Sequence, residues 1–182
     1  MSQIQISIDN RPVEDALRGL MQHLDDPTPV MQDIGEYLIV STKERFQTGI
    51  APDGSKWAPN SKLTLSRKKG NRPLIGETHR LSTEILSHAD RDAVEVGSNL
   101  VYAAVQQFGA KMGAFGRYSQ LSRRTTYAPT DFRHHAGTKK GFPIPWGNIP
   151  ARPFLGLSDD DVAAVLDIVQ EHLDQTLGTA TG

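Results

Sequence analysis

The 182 residues contain no cysteine. That excludes disulfides, thiolate metal sites and cysteine nucleophiles together, and it fits assembly in a reducing cytoplasm. An excess of one charge sign is also missing: 20 Lys and Arg stand against 21 Asp and Glu, a formal net charge of -1. No global field then draws the chain to nucleic acid or membrane, so any such attraction belongs to a local patch. No apolar run approaches the roughly 20 residues that span a bilayer. Met1 to Asn10 has neither the basic start nor the apolar stretch of a signal peptide. The expectation is a soluble intracellular protein with no membrane partner. Catalytic signatures are missing as well. There is no phosphate-binding GxxxxGK loop, no GxSxG elbow and no HExxH pair, each of which needs fixed spacing so that the reacting groups converge. We therefore expect no enzyme, no cofactor and no metal site.

Turning to what is present, Ile4, Ile6 and Ile8 alternate with polar residues, which predicts a short strand. Val13, Ala16, Leu17, Leu20 and Leu24 form a helical stripe that Asp25-Asp26-Pro27 ends. Thr28 then caps a second helix, with Pro29 at its first position and Gly49 as its stop. Met31, Ile34, Leu38 and Phe46 face inward along it, and Lys43, Glu44 and Arg45 make its end polar. Ala51 to Asn60 reads as a loop from Pro52, Asp53-Gly54 and Pro59. Trp57 inside that loop predicts an anchor on the core. Ser61 starts a short basic helix ending at Gly70, and Leu81 and Ile85 point inward from a helical turn beyond Gly76.

Ile85 to Ala89 and Ala93 to Gly97 flank a polar turn and predict a hairpin. Ser98 or Asn99 caps a helix from Val101 to Phe108, and Gly109 closes it. Ser158 caps the last helix, with Asp159, Asp160 and Asp161 at its positive end and Val162, Val165, Leu166, Val169 and Leu173 as its apolar stripe. Long helices around a small antiparallel sheet give an α+β fold, a single domain over residues 1–182, with a long basic loop inserted at 110–150. Ile144 and Trp146 are candidates for a strand near the end of that loop.

Three groups invite a chemical reading. His134-His135 would need further ligands to hold a metal, and a polar loop pair explains it more simply. Asp159 to Asp161 is accounted for by a helix N-terminus. Glu36 with Glu44 sits on an exposed helix face and needs no acid–base role. Charge along the inserted loop is more informative. Lys111, Arg117, Arg123, Arg124, Arg133, Lys139 and Lys140 are opposed only by Asp131 and interleave with Phe115, Tyr118, Tyr127 and Phe132. That mixture suits phosphates and bases, or an acidic face on a neighbouring subunit. Lys62, Arg67, Lys68, Lys69 and Arg72 form a second basic cluster.

Four stretches together resemble the phage virion morphogenesis family. They are Arg45-Phe46 with Pro52-Asp53-Gly54 and Trp57; Leu74 to Leu86 with Gly76, Leu81 and Ile85; Val101-Tyr102-Ala103-Ala104 with Gln106-Gln107-Phe108-Gly109; and Ile149 to Ser158. Thr83-Glu84-Ile85 stands where Ser-Ile is commoner. The signature leaves out the first strand and the basic loop. The resemblance implies tail completion and joining of the tail to the DNA-filled head, in a ring of six subunits by analogy with other neck proteins. Implied partners are a head-side connector or adaptor, a tail terminator and packaged DNA. A capsid-assembly factor absent from the finished virion, or a DNA-binding protein using the basic loop, are the alternatives. Trp57, Phe108, Arg152, Phe154 and Leu155 are the interface candidates. Trp57 and Phe108 are expected to pin loops to the core. Arg152, a charge in an apolar stretch, is expected to meet a carboxylate on the same or the next subunit, or to lie on the surface over Phe154.

Overall fold

The computed structural model describes residues 10–23, 26–111, 117–118, 142–143 and 148–179. The strand expected at Ile4 to Ile8 lies outside them. Helix α1 spans Arg11–His23, and the Asn10 side chain accepts from the Val13 N–H at 3.4 Å. Helix α2 spans Thr28–Thr48. Thr28 is its first residue and not its cap. Pro27 holds the cap position with no side-chain bond, while the Asp26 carboxylate accepts from the Thr28 N–H at 3.0 Å. Gly49 adopts the left-handed conformation (φ 71°) and returns its N–H to the Arg45 carbonyl. Glycine takes that conformation without a Cβ penalty, and so the helix ends there.

After the loop come α3 (Lys62–Arg67), capped by Ser61, and α4 (Arg80–Thr83). Strands β1 (Leu86–Ala89) and β2 (Val94–Gly97) pair antiparallel, with Leu86 opposite Gly97 and Ala89 opposite Val94. Helix α5 covers Ala103–Phe108, shorter than the sequence predicts, because Val101 and Tyr102 form a turn. Neither Ser98 nor Asn99 caps it: Tyr102 holds that position without a side-chain bond, and Ser98 Oγ instead accepts from Leu100 N–H at 3.4 Å. Strands β3 (Arg117–Tyr118) and β4 (Phe142–Pro143) pair antiparallel, and Ala110 bridges Ile149. Ile144 and Trp146 lie outside the described residues. Helix α6 spans Asp159–Thr179.

Helix α2 is the axis of the fold. The β1–β2 hairpin lies against it, α6 packs on it as well, and α1 packs on α6. The sense of α6 is antiparallel to α2, since Asp161 meets Ser41 while His172 meets Asp33. One apolar cluster joins Val30 and Ile34 to Val165 and Val169, with Val13, Ala16 and Leu17 of α1 against it. The other gathers Phe46, Ala51, Trp57, Leu81, Ile85, Ala103, Phe154 and Leu155. The helical stripes account for the first of these clusters; the second draws largely on residues outside them, Ala51, Trp57, Phe154 and Leu155 among them, and the fold is α+β.

Candidate assembly interface

The segment after β4, residues 149–158, carries three of the five interface candidates, and it runs through the core. Phe154 is fully buried, and Arg152 and Leu155 nearly so. Three polar side chains hold its backbone. Gln107 accepts at Oε1 from the N–H groups of Phe154 (2.9 Å) and Leu155 (3.0 Å), and its Nε2 donates to the Leu155 carbonyl at 2.9 Å. A side-chain amide thereby takes the place of a neighbouring strand, in surroundings where unpaired N–H and C=O groups are costly. Trp57 Nε1 donates to the Pro153 carbonyl at 2.7 Å, and its ring meets the edge of Phe46 at 5.5 Å. Arg45 Nη1 donates to the carbonyls of Phe154 and Gly156, both at 3.0 Å. At Gly156 (φ 148°) a Cβ would come within 2.9 Å of Pro52 Cγ, so only glycine lets this segment lie on the loop after α2.

Arg45 also closes an ion pair with Asp161, both side chains being almost wholly buried. Around the carboxylate, Ser41 Oγ donates to Oδ1, while the Ser158 N–H and Oγ donate to Oδ2 at 2.7 Å each. Ser158 Oγ accepts in return from the Asp161 N–H at 3.2 Å. This is a reciprocal capping box, with Asp in the usual Glu position, and Arg45 ties it to the end of α2. Burial alone would raise the Asp161 carboxyl's pKa. The bonds from Ser41 and Ser158 and the Arg45 charge outweigh it and hold the group below the ordinary carboxylate range. Two sequence expectations are corrected here. Arg45 is not part of an exposed polar helix end, and Asp161 does more than complement a helix dipole. The Ser158 cap expected from the sequence is present; the Ser158-x-x-Asp161 spacing was the signal for the reciprocal bond, and nothing local pointed to Arg45 as the partner of Asp161.

Arg152 is corrected as well. It neither pairs with a carboxylate among the described residues nor lies on the surface. Its Nε donates to the Ala58 carbonyl at 2.7 Å and its Nη2 to the Pro59 carbonyl at 3.0 Å, and its own N–H donates to the Gln106 carbonyl at 2.8 Å. The guanidinium thus fastens the loop after α2 to the 149–158 segment. Burial pushes it down from its ordinary value, yet arginine stays charged. Lys68 lies close enough for the Arg152 charge, after burial, to lower its pKa too.

Phe108 behaves oppositely to expectation. Gln107 beside it is buried, but Phe108 itself is 61% exposed and pins nothing. Val101 is 92% exposed. Val101 lies in the turn before α5 and Phe108 at the end of the helix, and Val105 between them is half-buried. Trp57, Arg152, Phe154 and Leu155 are core residues of the subunit, so among the five candidates Phe108 alone offers a side chain to a partner.

Of the basic-loop candidates, Lys111 is exposed and Arg117 falls in β3. Arg123, Arg124, Arg133, Lys139 and Lys140 lie outside the described residues, as does His134-His135. Among the described residues no three His, Asp or Glu converge as a metal site, and no helix is long and apolar enough to cross a membrane.

These contacts join the loop after α2, α5 and residues 149–158, three of the four stretches that carry the resemblance, around one part of the core. The sequence model of the phage virion morphogenesis family matches residues 8–174. The chain belongs to that family. A relative described as Mu-like prophage FluMu G protein 2, from Haemophilus influenzae, is 28% identical over 170 residues, covering 93% of this chain and 95% of its own length. No solved structure matches. The chain is a phage morphogenesis protein, and Arg45, Trp57, Gln107 and Arg152 of its motifs supply bonds that hold its core together.

Proposed function

We propose that this protein is a structural, non-catalytic subunit of the phage neck. It completes the tail and joins it to the DNA-filled head, as a ring of six copies between a head-side connector or adaptor and a tail terminator. The observation that supports this reading is the exposure of Val101, in the turn before α5, and of Phe108, at the end of a helix whose inner face is locked by Gln107. A monomer gains nothing from an exposed phenylalanine within a family motif, whereas a subunit of an assembly buries it. The family supports the morphogenetic role, and the FluMu G relative supports descent from Mu-like phages. Lys111 leads into the basic insertion, which in this reading faces packaged DNA or a neighbouring subunit.

Mass spectrometry and immunogold labelling of purified virions test the proposal. A few copies per particle, in a small integer ratio to the tail terminator and labelled at the neck, support it. Presence in precursor heads and absence from mature particles would replace it with a capsid-assembly role.

A further inference from the structure

Charge is divided sharply within the subunit. From Lys56 to Arg72 the chain carries Lys56, Lys62, Arg67, Lys68, Lys69 and Arg72 and no acid, while α6 carries Asp159, Asp160, Asp161, Asp167, Glu171 and Asp174 and no Lys or Arg. Asp161 is consumed by Arg45; Asp159, Asp160, Asp167, Glu171 and Asp174 are exposed. The basic stretch includes α3, a six-residue helix in which Leu63 and Leu65 are 58% and 43% exposed. Helices this short have marginal stability of their own, and two uncovered leucines do not suit a surface that meets only phosphates.

A complementary patch lies where α2 meets the start of α6. Val40 is 55% exposed, with Glu36 and Glu44 exposed one turn to either side of it on α2. Asp160 of α6 is exposed as well, next to Asp161, which meets Ser41 of α2; burial, then the charge and bond of Asp161, then Asp160 and Glu44, push the nearby Tyr37 phenol up. Lys43 is the one exposed base on this stretch of α2. Within a subunit Leu63, Leu65 and Val40 all remain uncovered, so the basic arm does not occupy the acidic patch of its own chain.

We propose that the α3 arm of one subunit docks on the Glu36–Val40–Glu44 face of the next copy of this chain. Leu63, the more exposed of the two leucines, covers Val40, and Lys62 and Lys69 meet the carboxylates. Two different patches make a heterologous contact, the kind that closes a ring, and opposite charges set its direction and register. This inference rests on the ring reading above.

The test uses two full-length variants, Lys62→Glu/Lys69→Glu and Glu36→Lys/Glu44→Lys, observed by native mass spectrometry beside the unaltered protein. All four positions are exposed, and circular dichroism checks that both variants fold. Each variant alone sets like charges against each other at the four contact positions, and its self-association is expected to weaken about tenfold or more. Mixed, the two restore opposite charges at every junction and are expected to assemble with alternating composition. If the unaltered chain assembles and each variant assembles equally well, the docking is overturned and the ring stands. If the unaltered chain stays monomeric, the ring reading falls with it. If the Lys variant assembles normally but loses retention of duplex DNA, the arm is a phosphate surface and the docking is overturned.

Discussion

The 149–161 segment and the α3 arm are both short and polar-flanked, yet they do opposite things with their charges. At the first, Arg152 and Asp161 of the segment and Arg45 and Gln107 packed on it are buried and spend nearly every donor and acceptor on the chain's own backbone or on each other. In the second, every residue from Ser61 to Ser66 is exposed, leucines included. Burial fixes polar groups in one geometry because an unmet bond is costly there. Exposure leaves charges solvated, and then they act on direction and rate of association more than on stability. One region makes the subunit; the other is suited to joining subunits.

The sharpest way to break this contrast is to cut the latch. Asp161→Ala strands the buried Arg45 charge and is expected to destabilise the fold by about 3–5 kcal/mol, the cost of removing one partner of a buried pair. Chemical denaturation checks it, and a loss under about 1 kcal/mol would mean that the pair is solvated. Phe154→Ala, at a fully buried ring 5.4 Å from Phe46, is expected to cost a similar amount, about 3–5 kcal/mol. Acid attacks the same latch. Because the folded Asp161 carboxyl sits below its unfolded value of about 3.9, its contribution is fully present above that value and is lost as pH falls through the folded pKa. The thermal midpoint should therefore drop between about pH 5 and pH 2 more steeply in the native chain than in Asp161→Asn.

Next in size are the backbone clamps. Gln107→Leu keeps the volume but leaves the N–H groups of Phe154 and Leu155 without acceptors, at about 1–3 kcal/mol for each buried group. Arg152→Ala removes the donors to Ala58 and Pro59 and is expected to lower stability of the isolated subunit by about 1–3 kcal/mol. A variant that unfolds like the native chain and fails only in assembly would restore Arg152 to the interface. Arg152→Lys is expected to recover part of the loss, since one ammonium cannot reproduce the fork to two carbonyls.

Most of the scaffold was legible in the sequence because hydrophobic period reports it directly. The α2 and α6 stripes, the Gly49 stop and the β1–β2 hairpin all follow from spacing and turn residues. Trp57 as an anchor follows from a large aromatic in a polar loop. What could not be read was the destination of buried polar groups. Arg45 and Asp161 are 116 positions apart, and each has an adequate local explanation at a helix end, so neither signals its partner. Gln107 and Phe108 are neighbours of opposite fate, and the motif they share does not say which turns inward.

The smallest effect on folding is expected at Phe108, and it sharpens the comparison most. Its ring covers little of its own subunit, so Phe108→Ser should change unfolding free energy by no more than about 0.5 kcal/mol, as at ordinary surface sites. Its effect on assembly should be large, because a single exposed aromatic has the character of an interface anchor. In complementation of a phage lacking this protein, the variant should accumulate as folded subunit while few particles carry it. Equal incorporation of Phe108→Ser and native protein would show that the α5 face stays wet in the virion. The latch would then be the only function of this motif, and the joining surface would have to be sought on the α3 arm.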